Sequence, residues 1–169
     1  MTHPDLVIRA HRAIVDGAER EALVVVVDGT ITTVDVAPGA LDRAPTGAHT
    51  VTLARDVVLL PGLVDTHVHV NEPGRTDWEG FASATRAAAR GGVTTLLDMP
   101  LNSSPVTTSP AALDAKLAST VGKLHVDTGF WGGAVPENRG RLRELWDGGV
   151  FGFKCFLLHS GNSSIPECS

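Results

Sequence analysis

Cysteine is scarce in this chain, and long apolar runs, basic clusters and low-complexity tracts are missing from it. Two cysteines in 169 residues, Cys155 and Cys168, are too few for a disulfide framework. The longest strictly apolar run, Ala22–Val27, falls far short of the ~20 residues that a membrane-spanning helix needs. Met1-Thr2-His3-Pro4-Asp5 shows no basic start leading into an apolar stretch, the usual opening of a secretory leader. The expectation is a cytoplasmic protein with no membrane partner. Lys and Arg total 14 against 19 Asp and Glu, giving a net charge of −5 and a pI near 5.7. With no Lys/Arg cluster to offset that balance, nucleic acid is not an expected partner. No G-x-G-x-x-G, Walker sequence or internal repeat is present, so the familiar phosphate-binding turns are excluded.

What is present suffices for a core. The hydrophobic fraction is 43%, above what a disordered chain carries. The length allows one ordinary domain or parts of two. Up to about residue 60 the chain reads as β. Leu6–Ala10, Ala13–Asp16, Ala22–Val27 and Thr30–Val36 are short runs rich in Val and Ile, with turn signals at Asp16-Gly17 and Asp28-Gly29. Pro38–Ala48 reads as a loop, and Val51–Leu53 and Val57–Leu60 as two further short strands.

After Pro61-Gly62 the period changes. Leu63–Val70, Val93–Met99, Lys123–Trp131 and Val150–Phe156 are strand candidates. Between them lie three helix candidates. The first starts at the capping-box pair Thr76/Glu79 and continues the stripe Trp78, Phe81, Ala82, Thr85, Ala88, Ala89. The second is capped by Ser109 with Pro110 at its first position, and Leu113, Leu117 and Val121 form its face. The third is Pro136–Asp147 with Leu142, Leu145 and Trp146. Such β-α-β-α-β-α-β alternation predicts a parallel sheet with right-handed crossovers, either doubly wound or the first four units of a (β/α)8 barrel.

The residues able to carry chemistry concentrate at strand ends. In Asp65-Thr66-His67-Val68-His69, alternation puts Asp65, His67 and His69 on one face, and two imidazoles spaced i, i+2 can grip one metal ion. Two ordinary loop histidines are the competing reading. Lys154, inside the apolar run Gly152-Phe153-Lys154-Cys155-Phe156, is costly to bury as an ammonium. It can face solvent, pair with a carboxylate, or be neutral and add carbon dioxide as a carbamate. Asp98 and Asn102 leave the second strand, where they can touch a substrate or hold a turn. Asn71-Glu72-Pro73-Gly74-Arg75 is a ligand loop or a plain turn. His125 is expected to be structural, His159 has no evident partner, Cys155 is expected to pack, and Ser160 lacks a nucleophile-elbow context.

Taken together, these stretches resemble a known family. Pro61-Gly62-Leu63-Val64-Asp65-Thr66-His67-Val68-His69 is similar to the start of the metal-dependent amidohydrolase barrel. The continuation to Phe81, with Gly91–Thr95, Asp98–Ser103, Phe130–Gly133 and Gly152–Phe156, resembles the allantoinase family of cyclic amidohydrolases in particular. The resemblance implies an α/β architecture: about four β/α units of a (β/α)8 TIM barrel over 61–169, preceded by a β segment over 1–60 belonging to a composite β-sandwich. It implies two divalent metal ions, usually zinc, with His67 and His69 on the more buried ion and a CO2-derived carbamate on Lys154 bridging both. Hydrolysis of the cyclic amide of allantoin to allantoate is the implied reaction, and a small cyclic ureide the implied partner. Asn71 and Asn102 are candidate substrate contacts. Dihydroorotases commonly carry Arg where Asn71 stands, to hold a substrate carboxylate that allantoin lacks; hydantoinases and dihydropyrimidinases differ around 71–75. A dihydroorotase- or hydantoinase-type amidase, or a non-catalytic assembly protein on the same fold, is the alternative. The family's further metal histidines and catalytic aspartate lie on later strands. No residue of this chain takes those roles, so the expectation is an N-terminal part, inactive alone, of an enzyme that is a homo-oligomer at full length.

Overall fold

The computed structural model describes residues 4–159, 161 and 165–167. Ser160 and Cys168 lie outside the described residues. The chain divides into two compact units, Met1–Pro61 and Gly62–Ser169.

The first unit is a four-stranded sheet of β1 (Leu6–Val15), β2 (Ala18–Val27), β3 (Thr30–Asp35) and β4 (His49–Thr52), in the order β3-β2-β1-β4. β1–β2 and β2–β3 are antiparallel and β1–β4 is parallel. Both tight turns follow from their sequence: Asp16-Gly17 and Asp28-Gly29 have φ of 51° and 74°, and of 50° and 72°, the left-handed pairs that two-residue hairpins require. The two runs expected before Asp16 are one strand. A bulge between Ala10 and Ala13 lets His11 and Arg12 interrupt the apolar alternation without ending the pairing. Val57–Leu60 forms no strand; Leu59 makes a single bridge to Ala13. Val7, Leu23, Val25 and Ala40 are the buried centre of this unit.

The second unit carries β5 (Leu63–Val68), α1 (Phe81–Arg90), β6 (Val93–Asp98), α2 (Pro110–Thr120), β7 (Asp127–Phe130), β8 (Gly132–Gly133), α3 (Leu142–Asp147) and β9 (Phe153–Lys154). All pairings are parallel, β5-β6-β7 in one ladder and β8-β9 in another. The third expected strand is divided at Trp131 into β7 and β8. Trp131 N donates to Asp98 O at 2.9 Å while Gly132 N donates to Gly152 O at 2.9 Å, so the chain changes partner there. Four successive parallel strands therefore stand in sequence order, as the alternation predicts. The third helix is shorter than expected: Pro136–Asn138 is a single 3-10 turn, Gly140 intervenes, and α3 begins at Leu142.

α1 begins at Phe81, later than the Thr76/Glu79 pair suggests. Its N-cap is Gly80, and the Phe81 N–H is taken by Glu72 Oε2 at 2.9 Å, from nine residues upstream. A buried carboxylate at the positive end of the helix dipole does what a local capping box would do. Trp78 stays outside the helix and exposed, whereas Phe81 and Thr85 are fully buried. Phe81 meets Phe130 edge-on, with centroids 6.0 Å apart at 84°, in a core shared with Val70, Leu113, Leu145 and Val150. α2 is capped as predicted, Ser109 Oγ accepting from Ala112 N at 3.3 Å. Its buried face is different: Ala112, Leu113, Lys116 and Thr120 point inward, while Leu117 and Val121 are exposed.

Candidate functional site

The two histidines emerge at the C-terminal end of β5. Their rings share one side, with centroids 5.4 Å apart and planes tilted by 44°, as the alternation of strand side chains requires. His67 N donates to Asp65 Oδ1 at 3.0 Å, which braces the last turn of the strand. His67 is exposed and His69 half-buried. Burial lowers the pKa of His69, and the charge of Lys154 lowers it further; a hydrogen bond with the Leu101 backbone opposes them, and His67 and Lys116 add smaller lowering effects. These effects together favour the neutral imidazole, the state that can donate a lone pair. Asn102, in the left-handed region at φ 78°, brings its Nδ2 to 3.5 Å from His69 Nδ1.

Lys154 lies on β9, half-buried, with its Nζ 5.3 Å from the Phe156 ring centroid. Burial lowers its pKa. Its charge acts on His69, so residues 85 positions apart in sequence share one electrostatic neighbourhood. The neighbouring Cys155 is exposed, contrary to the packing role expected for it. Among the described residues no three His, Cys, Asp or Glu side chains gather as a metal cluster. His67, His69 and Lys154 are the side chains at this end of the sheet that could donate to a metal ion. A neutral imidazole and an amine of depressed basicity fit metal ligation and carbamate formation respectively.

Asp98 is engaged inside the protein. It is fully buried, accepting from Val70 N at 2.6 Å and pairing with Lys116 Nζ at 2.6 Å, and Lys116 donates also to Met99 O at 3.0 Å. Burial raises the Asp98 pKa to about 6 against the opposing charge and hydrogen bond of Lys116. Burial likewise lowers that of Lys116 against the pull of Asp98. The pair ties the residue after His69 to the end of β6 and to α2. Lys116 was invisible as a site residue because a lysine on a helix reads as solvated. Its one signal is its place at i+3 and i+4 from Leu113 and Ala112, inside the apolar stripe.

Other contacts fix the loops at this end. Glu72, besides capping α1, pairs with Lys123 through its other oxygen. Asn71 is buried, and its Oδ1 has no donor among the described residues. Ser104 N donates to Pro73 O at 2.8 Å, and a Cβ on Gly74, at φ 90°, would stand 2.6 Å from Ser104 O. The loops after β5 and β6 are thus clasped backbone to backbone. Trp131 reaches across to the first strand, its Nε1 donating to Thr66 O at 2.9 Å. Asn138 Nδ2 bonds both Thr108 O and Gly133 O at 2.8 Å. His125, before β7, is exposed and donates its backbone N–H to Thr85 Oγ1 at 3.1 Å.

Comparison with known proteins accounts for this arrangement of parallel β/α units. The family model described as "Amidohydrolase family" matches residues 58–162, and the chain belongs to that family. Within it the chain resembles proteins named as allantoinases. It is 54% identical over 167 residues to the allantoinase of Streptomyces avermitilis, covering 99% of this chain and 37% of that protein. It is 44% identical over 164 residues to that of Saccharomyces cerevisiae, covering 94% of this chain and 36% of the relative. Among solved structures, the L-hydantoinase (dihydropyrimidinase) of Arthrobacter aurescens matches with a TM-score of 0.85 at 26% identity, covering 99% of this chain and 36% of that one. The second unit thus has the fold of the opening β/α units of an amidohydrolase barrel. The chain spans little more than a third of the length of these relatives. Among the described residues no helix is long and apolar enough to cross a membrane.

Proposed function

We propose that this chain supplies the first part of the active site of a cyclic-amide hydrolase that opens the ring of allantoin to give allantoate. The observation that carries the reading is the pair of His67 and His69 rings 5.4 Å apart on one side of the end of β5, in the electrostatic neighbourhood of Lys154, in a chain 54% identical to an allantoinase. A hydantoinase reading is second, since the likeness to the Arthrobacter enzyme is 26% in sequence.

In this reading His67 and His69 would hold one divalent ion and Lys154, as its carbamate, would help to hold a second; zinc is the expected metal. The neutral Nζ of Lys154 forms a bond to the carbon of CO2 and gives up a proton to solvent, leaving an anionic ligand with two oxygens. When bound, the metals acidify water and polarise the scissile carbonyl. The chain's own residues set the stage for that chemistry. Burial favours the neutral form of His69, and the Leu101 backbone hydrogen-bonds to its ring. Asn102 stands against the same ring and is the proposed substrate contact beside it. Asn71 holds a buried acceptor that a ureide N–H would satisfy once the loop yields. The general-base aspartate is expected outside these residues. The unit up to Pro61 is proposed as one part of a composite β-sandwich, and the whole enzyme as a cytoplasmic homo-oligomer.

The test is a chimera in which this chain replaces the matching part of the Streptomyces avermitilis relative. Allantoate formation should require zinc and be lost in His67→Ala and Lys154→Ala. ¹³C-bicarbonate should give a carbamate NMR signal that Lys154→Ala removes. Turnover that survives both substitutions would overturn the reading.

A further inference from the structure

We propose that the cavity between the loops following β5 and β6 receives the exocyclic ureido arm of the substrate, the group that distinguishes a 5-ureidohydantoin such as allantoin from a plain hydantoin. The proposal rests on the cyclic-ureide reading above and names what selects the ureide.

The cavity measures about 290 Å³, near the lower end of small-ligand pockets. Arg75 lines it from the β5 loop and Asn102, Ser104 and Thr108 from the β6 loop, with Val106 and Ala112 as apolar wall. Asn102 both lines the cavity and lies 3.5 Å from His69, so the cavity begins one side chain away from the imidazole. Three of its polar side-chain groups bond to nothing among the described residues: those of Arg75 and Ser104, which are exposed, and that of the half-buried Thr108. Among the described residues the Arg75 guanidinium has no carboxylate partner and rests on the Trp78 ring, 5.1 Å from its centroid. The hydroxyls of Ser104 and Thr108 make no hydrogen bond among the described residues. Of the other hydroxyls that line the cavity, Ser103 donates to Pro105 O at 3.2 Å, and Ser109 caps α2.

This inventory selects a ligand class. A guanidinium only donates, whereas a hydroxyl and a carboxamide each donate and accept. A ureido group is planar and neutral, with one strong carbonyl acceptor and three N–H donors. Its carbonyl suits the guanidinium fork, and its N–H groups need the acceptors that Ser104, Thr108 and Asn102 offer. A carboxylate, which only accepts, would engage Arg75 and the hydroxyls but offer no donor to the Asn102 carboxamide oxygen, and an alkyl arm would engage none of these groups.

The uniformly ¹⁵N-labelled chain is titrated with methylurea, hydantoin and acetate and followed by ¹H–¹⁵N NMR. Methylurea should shift the Ser104 and Thr108 amides and the Arg75 Nε–H saturably, and Arg75→Gln should weaken that binding at least fivefold. Absence of the shifts, or stronger ones with acetate, would overturn the proposal, acetate marking an anion site. A second arm uses the Streptomyces chimera. Arg75→Gln should lower kcat/KM for allantoin at least tenfold more than for hydantoin; equal losses would refute the pocket. If the chimera opens neither ring while methylurea binds as expected, the functional reading fails and the ureido pocket stands.

Discussion

Replacing Lys116 with methionine keeps most of the length of the side chain and removes its charge, leaving Asp98 sealed in the protein with backbone donors alone. Both side chains are fully buried, and the Oδ2–Nζ distance is 2.6 Å. Breaking such a pair from one side costs about 3–5 kcal/mol, because the remaining charge is neither hydrated nor matched. The sign of the pH dependence follows from Asp98. Its pKa is raised from 3.8 to about 6, so its ionisation lowers stability as pH climbs between those values, by on the order of 3 kcal/mol, and the effect is level above. Lys116 is what holds the value down to about 6. Without it the carboxyl rises further, and stability continues to fall beyond pH 6, at up to about 1.4 kcal/mol per pH unit. Urea titrations at pH 5, 6, 7 and 8, read by circular dichroism, should therefore show a loss in Lys116→Met that widens with pH. Asp98→Asn combined with Lys116→Met should be more stable at pH 8 than Lys116→Met alone. A deficit below about 1 kcal/mol, or one that stays constant from pH 5 to 8, would refute the claim that burial dominates this pair.

Three further outcomes are expected. Gly74→Ala should lower the melting temperature more than Gly17→Ala: both have positive φ, but only at Gly74 would the new methyl strike a backbone oxygen, at 2.6 Å, and equal losses would contradict the clasp. Ser109→Ala should cost about 0.5–2 kcal/mol in a urea titration, the usual range for a lost N-cap. Glu72→Ala should speed hydrogen exchange at the Phe81 amide, whereas Glu72→Gln, which still offers an acceptor, should preserve most of the protection; identical exchange in both variants would remove Glu72 as the cap.

Local rules made much of the second unit readable. Hydrophobic period separates β5, β6 and the helices, and Ser109-Pro110 marks the start of α2 because cap and first-turn chemistry are properties of adjacent residues. The pair His67/His69 was legible because strand alternation fixes its geometry without reference to anything distant. Long-range partners set what was not legible. The start of α1 depends on Glu72, whose other oxygen meets Lys123 across 51 residues. The inward face of α2 depends on Asp98: Lys116 takes the place expected of Leu117 because a carboxylate lies beneath it. The third strand divides at Trp131 because its neighbours on the two sides of that residue are different strands.

The backbone clasp between the β5 and β6 loops bears on how specificity can change in such an enzyme. Because Ser104 N bonds to Pro73 O and Gly74 leaves no room above Ser104, an insertion in either loop alone would unseat the other. The two loops consequently constitute one module of inheritance. A swap meant to retune the enzyme for another ring should carry 71–75 and 102–109 together, since a hybrid holding one loop from each parent would lose the mouth of the cavity along with the contact between Asn102 and His69.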